Sequence, residues 1–167
     1  IHFAAQIGWF YAIARIPIAE VFAIEFTSPI WTALLAALFL RERLTAARVA
    51  AIALGFGGVL VILRPGLAII DPAALAALGA AFGYAVTYIF TKDLVATDRP
   101  LAILLWMNAV QLPLALAASA SDWVTPSPAL WPWVGVTGLV GLASHYCLSR
   151  ALEHGEATVV TTIDFLR

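Results

Sequence analysis

Two acidic residues stand where an apolar chain has least use for a charge. Glu25 follows Val21-Phe-Ala-Ile24, and Asp164 follows Val159-Val-Thr-Thr-Ile163. A carboxyl group in such surroundings takes up and releases a proton or holds a cation, and ionisable groups inside apolar helices are functional by default. Ser28 and Thr32 follow Glu25 at i+3 and i+7, so on one helix they share its face. Pro29 removes a backbone donor in the same turn, which suits a kink or a hinge. Tyr84, Thr87, Tyr88 and Thr91 make a stripe at i, i+3, i+4 and i+7. Asn108 shares a face with Gln111, and His2 shares one with Gln6 and Trp9, while His145 lies among small residues. Each of these could line an aqueous path or make an interhelical hydrogen bond worth about 0.6 kcal/mol. Trp9 and the tyrosines also read as simple packing.

The candidate set for substrate or proton binding is therefore Glu25, then Asp164, with Ser28, Thr32, Tyr84, Tyr88, Gln6, Asn108 and His145, and Pro29 as a hinge. The plainer alternative for Glu25 is a protonated side chain, or one that caps a neighbouring helix. Glu20 is nearer its segment end and can reach the interface. No catalytic constellation accompanies these residues. His145 and Cys147 are too close in sequence to face each other on a helix, with no third ligand at zinc spacing. The serines lack a G-x-S-x-G elbow, and no glycine motif cradles a phosphate. Glu25 and Asp164 as a pair leave an intramembrane hydrolase open without supporting it. The expectation is no enzyme, no metal and no organic cofactor.

The elements that must carry these residues follow from composition. Hydrophobic residues make up 63% of the 167 residues and charged residues 11%, with mean hydropathy +0.96. A soluble domain carries about 25% charged residues, so lipid is the expected solvent for most of this surface. Net charge is −1, which gives no field to attract nucleic acid, and Cys147 alone excludes an internal disulfide.

Charges and prolines divide the chain into runs near the ~20 residues that span a bilayer. They are His2 to Ile16, Pro17 to Leu40, Thr45 to Leu63, Pro72 to Thr91, Pro100 to Ala118 and Leu130 to Leu152, with a last run from Ala157. Thr45 and Asp71 are expected N-caps, Pro17 and Pro72 suit a first helical position, and Arg64-Pro65-Gly66 reads as a stop. The runs are too long and too rich in Ala and Leu for strands, and helices satisfy their own backbone in lipid. The fold class expected is all-α, a polytopic transmembrane bundle. Both ends fall inside apolar patterns, so the expectation is an internal stretch of a longer membrane protein.

Arg41-Glu42-Arg43 then marks a membrane–water boundary. Alternating crossings place Arg41, Arg43, Arg48, Lys92, Arg99 and Arg150 on one side, and Arg15 and Arg64 on the other. The positive-inside rule puts the loops at 41–48 and 92–99 in the cytoplasm of a cell that carries this protein in its cytoplasmic membrane. The 119–132 loop has tryptophan and no Lys or Arg, as an outer loop would. Gly79 and Gly83 form a G-x-x-x-G, Gly135, Gly138 and Gly141 recur along one helix, and Gly55, Gly57 and Gly58 crowd another. All of these are expected at helix–helix contacts.

An internal repeat is also legible. Tyr11-Ala-Ile-Ala-Arg15 followed by Ile24-Glu25-Phe26 is echoed by Tyr146-Cys-Leu-Ser-Arg150 followed by Ile163-Asp164-Phe165. An odd number of crossings separates the copies, so they are inverted, and inverted repeats with a midplane site mark transporters.

Phe10-Tyr11-Ala-Ile-Ala-Arg15, Pro17-Ile-Ala-Glu20, Phe26-Thr-Ser-Pro29 and Leu40-Arg-Glu42-Arg-Leu44 together resemble the EamA domain of the drug/metabolite transporter superfamily. Gly55-Phe-Gly-Gly58 through Arg64-Pro-Gly66, Ser149-Arg150-Ala-Leu, Ala157-Thr-Val-Val and Asp164-Phe-Leu-Arg167 continue the likeness. The resemblance implies ten helices in two inverted halves, with residues 1–66 in the first and 67–167 in the second, as helices three to nine. It implies a secondary transporter, commonly an exporter, of small metabolites such as amino acids or their derivatives, working by alternating access. Two departures stand out: Arg41, where the family usually has Gly, and Glu25, where many members have a small or hydroxyl residue. The latter suggests proton coupling or a distinct substrate. The partners expected are the lipid bilayer, a small-molecule metabolite, protons and a second copy in a homodimer, but no nucleic acid. A non-transporting membrane scaffold is the alternative reading.

Overall fold

The computed structural model describes residues 1–63, 71–121 and 123–164. Among these the chain is helical throughout its regular elements, with no strand. The helices are α1 (His2–Ile13), α2 (Ile18–Glu25), α3 (Ser28–Phe39), α4 (Ala46–Leu63), α5 (Pro72–Leu94), α6 (Pro100–Ser119), α7 (Trp131–His154) and α8 (Ala157–Asp164). Ile18–Phe39, Pro72–Leu94 and Pro100–Ser119 are long and apolar enough to cross a membrane. The expected stop at Arg64-Pro65-Gly66, and with it the boundary between residues 66 and 67, lies outside the described residues.

Local signals set most helix ends. Asp71 accepts a hydrogen bond from the Ala73 N–H at 2.7 Å, and Pro72 fills the position where no donor is needed. Thr45 Oγ1 accepts from the Arg48 N–H at 3.3 Å, so both expected caps form. One expectation is corrected. The run Pro17 to Leu40 is two helices, not one helix kinked at Pro29. The break falls at Phe26 and Thr27, where the Thr27 hydroxyl donates to the Ile24 carbonyl at 2.7 Å and α3 restarts with Pro29 in its first turn. A proline there removes no helical hydrogen bond, because first-turn N–H groups have no intrahelical partner.

The core is built on α5, which packs against α1, α2, α3, α7 and α8. Its buried positions are Ala73, Ala77, Ala80, Ala81, Gly83, Ala85 and Ile89; Ala73 and Ala77 share a packed cluster with Ala12 of α1, and Ile89 shares one with Ala36 of α3. Methyl-sized side chains let backbones approach closely where lipid supplies no hydrophobic drive. The glycines expected to do this mostly do not. Space is open around Gly55, Gly57, Gly58, Gly79, Gly135, Gly138 and Gly141, because their faces of α4, α5 and α7 meet no described neighbour. Gly83 is the exception in its motif: a Cβ there would stand 2.8 Å from the Ala5 Cβ. Gly83→Ala is expected to force α1 off α5 and cost about 1–3 kcal/mol. Gly79→Ala should be neutral or slightly stabilising. Thermal unfolding of the two variants in detergent checks the contrast.

One end of the bundle is knotted by charged side chains. Lys92 donates its ammonium to the carbonyls of Leu152 and Gly155, at 2.6 and 2.9 Å, and so closes the C-terminus of α7. Glu42 accepts the N–H groups of Ala157 and Thr158 at 2.6 and 3.2 Å and the Thr158 hydroxyl at 2.7 Å, and so closes the N-terminus of α8. Arg48 pairs with Glu156, and Arg99 and Arg150 line one recess. The 41–48 loop, Lys92, Arg99 and Arg150 therefore lie at the same end.

Arg41 adopts φ 57°, a left-handed conformation, and the next N–H returns to the Ala36 carbonyl at 3.2 Å. Glycine terminates helices this way without steric cost, which accounts physically for the glycine expected at this position. Arg41→Gly should stabilise the fold by about 1 kcal/mol, read as a higher melting temperature. An unchanged value would mean that the loop relaxes to avoid the strain.

Candidate functional site

Glu25 is the last residue of α2, and the buried side it shares with Val21 continues past the break through Ser28, Thr32 and Ala36 of α3. Its side chain is 92% buried, at 8% exposure, and accepts a hydrogen bond from the Trp9 indole N–H at 2.8 Å. A buried carboxylate needs such donors to offset lost hydration. Beside it opens a cavity of about 250 Å³ between α1, α2, α5, α6, α7 and α8.

Most of the candidate residues meet here. Glu25, Asp164, Gln6, Tyr84, Tyr88 and His145 line the cavity. Thr87 and Thr91 of the tyrosine stripe do so as well, so that whole stripe faces inward. Asp164 is carried by α8, and Glu25 by the last position of α2. Two carboxylates thus reach one cavity from segments far apart in sequence. Among the described residues that line it, none is Lys or Arg.

Aromatic rings make up much of the wall. The His2 imidazole lies 5.6 Å from the Tyr84 ring and 5.2 Å, edge-on, from the His145 ring. His2 Nδ1 is 3.2 Å from Gln111 Oε1, which ties α1 to α6. Trp9 meets Phe10 and Phe22 edge-on, at centroid distances of 5.5 and 6.2 Å. Aromatic faces of this kind suit planar rings and cations. No group of three or more His, Cys, Asp or Glu side chains is arranged for a metal among the described residues.

Three expected lining residues lie elsewhere. Ser28 and Thr32 are fully buried and do not line the cavity, since α3 beyond Glu25 packs against α5 and α8. Asn108 spends a side-chain donor on the Leu104 carbonyl of its own helix, at 2.8 Å. Pro29 sits beside the break and lines a separate apolar void with Phe26, Ile30 and Ile52.

His2 and Trp9 are among the lining residues that stand outside the candidate set. Both belong to the His2, Gln6, Trp9 stripe, of which only Gln6 was carried forward. Trp9 reads as packing from sequence, yet its N–H holds Glu25. The stripe itself was the available signal, since all three of its members line the cavity.

Comparison with known proteins adds the family. The EamA-like transporter family matches residues 1–64 and 71–167. A riboflavin transporter of Rhizobium johnstonii is 34% identical over 161 residues, covering 96% of this chain and 53% of the relative. An S-adenosylmethionine uptake transporter of Rickettsia bellii is 25% identical over 164 residues, covering 98% of this chain and 56% of the relative. A pseudopaline exporter of Pseudomonas aeruginosa is 29% identical over 160 residues, covering 95% and 56% respectively. The chain spans about half the length of these curated relatives. No solved structure matches.

Proposed function

The chain belongs to the EamA-like transporter family, and from that premise we propose that its cavity is the substrate site of a proton-coupled secondary transporter of small organic metabolites. It is an all-helical membrane protein of a family of metabolite transporters and not of enzymes. The observation that carries the finer reading is the meeting of Glu25 and Asp164 in one aromatic-walled cavity. Such a site favours a cationic nitrogen, as amino acids and their derivatives carry, with tyrosine and imidazole rings to hold its less polar part. A proton is the natural competitor for the same carboxylates. Loading a proton and releasing substrate then become alternatives, which couples their fluxes.

Halves related by inversion around a midplane site are one common architecture for alternating access. In support, α8 starts at the charged end and runs toward the cavity, whereas α3 runs from the break beside Glu25 toward that end. The proposed halves are residues 1–66 and 67–167. The proposed orientation has the charged end in the cytoplasm and the direction of transport outward, with the break at Phe26–Thr27 and Pro29 as the hinge.

The test is solute accumulation in everted membrane vesicles carrying the full-length gene product. The panel is labelled amino acids, riboflavin and S-adenosylmethionine, with and without an imposed pH gradient. Saturable, gradient-dependent accumulation is expected. Accumulation only in right-side-out vesicles would reverse the direction. No flux of any compound by an inserted, folded protein would overturn the transport reading.

A further inference from the structure

We propose that α3 and α8 enclose a hydrated proton path, leading from Glu25 and Asp164 at the cavity to Glu42 at the charged end through the hydroxyls of Ser28, Thr32, Thr161 and Thr158. The proposal rests on the proton-coupled reading above and assigns the route by which that proton reaches water.

The first observation is an anomaly of burial. Ser28 and Thr32 have zero exposure, and neither Ser28 Oγ nor Thr32 Oγ1 has a hydrogen-bond partner. A buried hydroxyl without a partner costs about 1–3 kcal/mol, and native proteins fill such places with ordered water. Trp31 Nε1, on the same helix, is a third buried polar atom without a partner, whereas the buried threonines and Ser149 are accounted for. Thr27 bonds the Ile24 carbonyl, Ser149 lines the cavity, Thr158 bonds Glu42 and Thr161 bonds the Ala157 carbonyl.

The second observation is alignment. α3 packs on α8, and their pairing is pinned at both ends. At the outer end Glu42, just beyond α3, holds Ala157 and Thr158 of α8, and Ala36 shares a packed cluster with Ala157. At the inner end Glu25 and Asp164 line the same cavity. The helices are therefore antiparallel, and Ser28 and Thr32 of α3 and Thr158 and Thr161 of α8 all lie in the stretch between those ends. Ser28 and Thr32 stand one turn apart on α3, and Thr158 and Thr161 stand one turn apart on α8. One turn is about 5.4 Å, which a single bridging water spans with two hydrogen bonds of about 2.8 Å. Apart from the cavity, Thr27 and Ser149, the buried interior is alanine and aliphatic side chains, so this stretch offers water polar partners beyond the cavity.

A hydroxyl both donates and accepts. A proton released by Glu25 or Asp164 adds to the neighbouring oxygen, which gives up its own proton to the next. Each oxygen ends with the bonds it began with, and one proton is delivered at Glu42. The other titratable groups around the inner end are His2, His145, Tyr84 and Tyr88, and those around the outer end are Lys92, Arg48 and Glu156.

The test uses the full-length gene product in proteoliposomes, with an entrapped pH dye and whichever of riboflavin, S-adenosylmethionine or labelled amino acids the unaltered protein moves. Thr32→Val keeps the shape and removes the hydroxyl, alone and with Ser28→Ala. Substrate counterflow, which needs no net proton movement, should stay within about twofold, while substrate-driven proton flux falls about tenfold or more. Thr32→Ser should restore the flux. Intact proton flux in the double variant would overturn the path and leave the transporter standing. Substrate movement without any proton flux in the unaltered protein would also overturn it. If Thr32→Val and Thr32→Ser lose counterflow and proton flux equally, the residue serves packing and the path is wrong. No movement of any compound would remove the transport reading, and the path with it.

Discussion

Glu25→Gln should abolish gradient-driven solute movement and leave the protein at normal abundance in the membrane. The substitution is close to isosteric. Glutamine keeps an acceptor oxygen for the Trp9 indole N–H, now 2.8 Å from the carboxylate, so the local geometry has its partner. What is lost is a negative charge and a site that can bind and release a proton. An ion pair about 4 Å apart at an effective dielectric near 20 is worth about 4 kcal/mol. Losing a large part of it lowers occupancy by a cation about 100-fold or more. Asp164→Asn should act in the same direction, because Asp164 lines the same cavity from α8. Initial rates in everted vesicles, normalised to membrane abundance, check the prediction. Full activity in Glu25→Gln would remove Glu25 from the coupling mechanism and return it to the role of a buried polar anchor for Trp9.

The second large effect is expected at the far end of the α3–α8 pairing. Glu42→Ala removes the acceptor for two α8 N–H groups and for the Thr158 hydroxyl together. The leading N–H groups of α8 (Ala157–Asp164) have no intrahelical partner and depend on such a cap. Loss of an N-cap costs about 0.5–2 kcal/mol, and an anion at the N-terminus adds to the stabilisation that is lost. We expect the melting temperature in detergent to fall by several degrees, in line with about 2 kcal/mol. Glu42→Gln, which retains one acceptor oxygen, should fall by less. Because α8 carries Asp164, the alanine variant should also weaken substrate binding at a site well removed from the substitution. An unchanged melting temperature would mean that Arg48–Glu156 and the packing of Ala36 on Ala157 hold α8 without the cap.

The amino-acid sequence by itself determined the solvent, the class and the punctuation. A chain that is 63% hydrophobic with few charges has to satisfy its backbone within helices. Proline, charge and capping residues act within a few positions, so Asp71 and Thr45 could be read as caps directly. The inward stripe of Tyr84, Thr87, Tyr88 and Thr91 was legible for the same reason, since it rests on the period of one unbroken helix. Glu25 and Asp164 were legible because a charge in lipid is costly wherever its partner lies.

Tertiary structure decided what depends on the neighbour. Ser28 and Thr32 share the buried side of Glu25 but not its cavity, because α3 beyond the break is covered by α5 and α8. The helix contacts fell to alanine and Gly83 because only some faces of α4, α5 and α7 meet another helix, and a glycine pattern does not say which. Trp9 became a donor to Glu25 only through the turn between α1 and α2. Glu42 closes a helix that begins 115 residues later. Periodicity and propensity are properties of a segment, whereas the partner of a polar side chain is chosen by packing between segments distant in the chain.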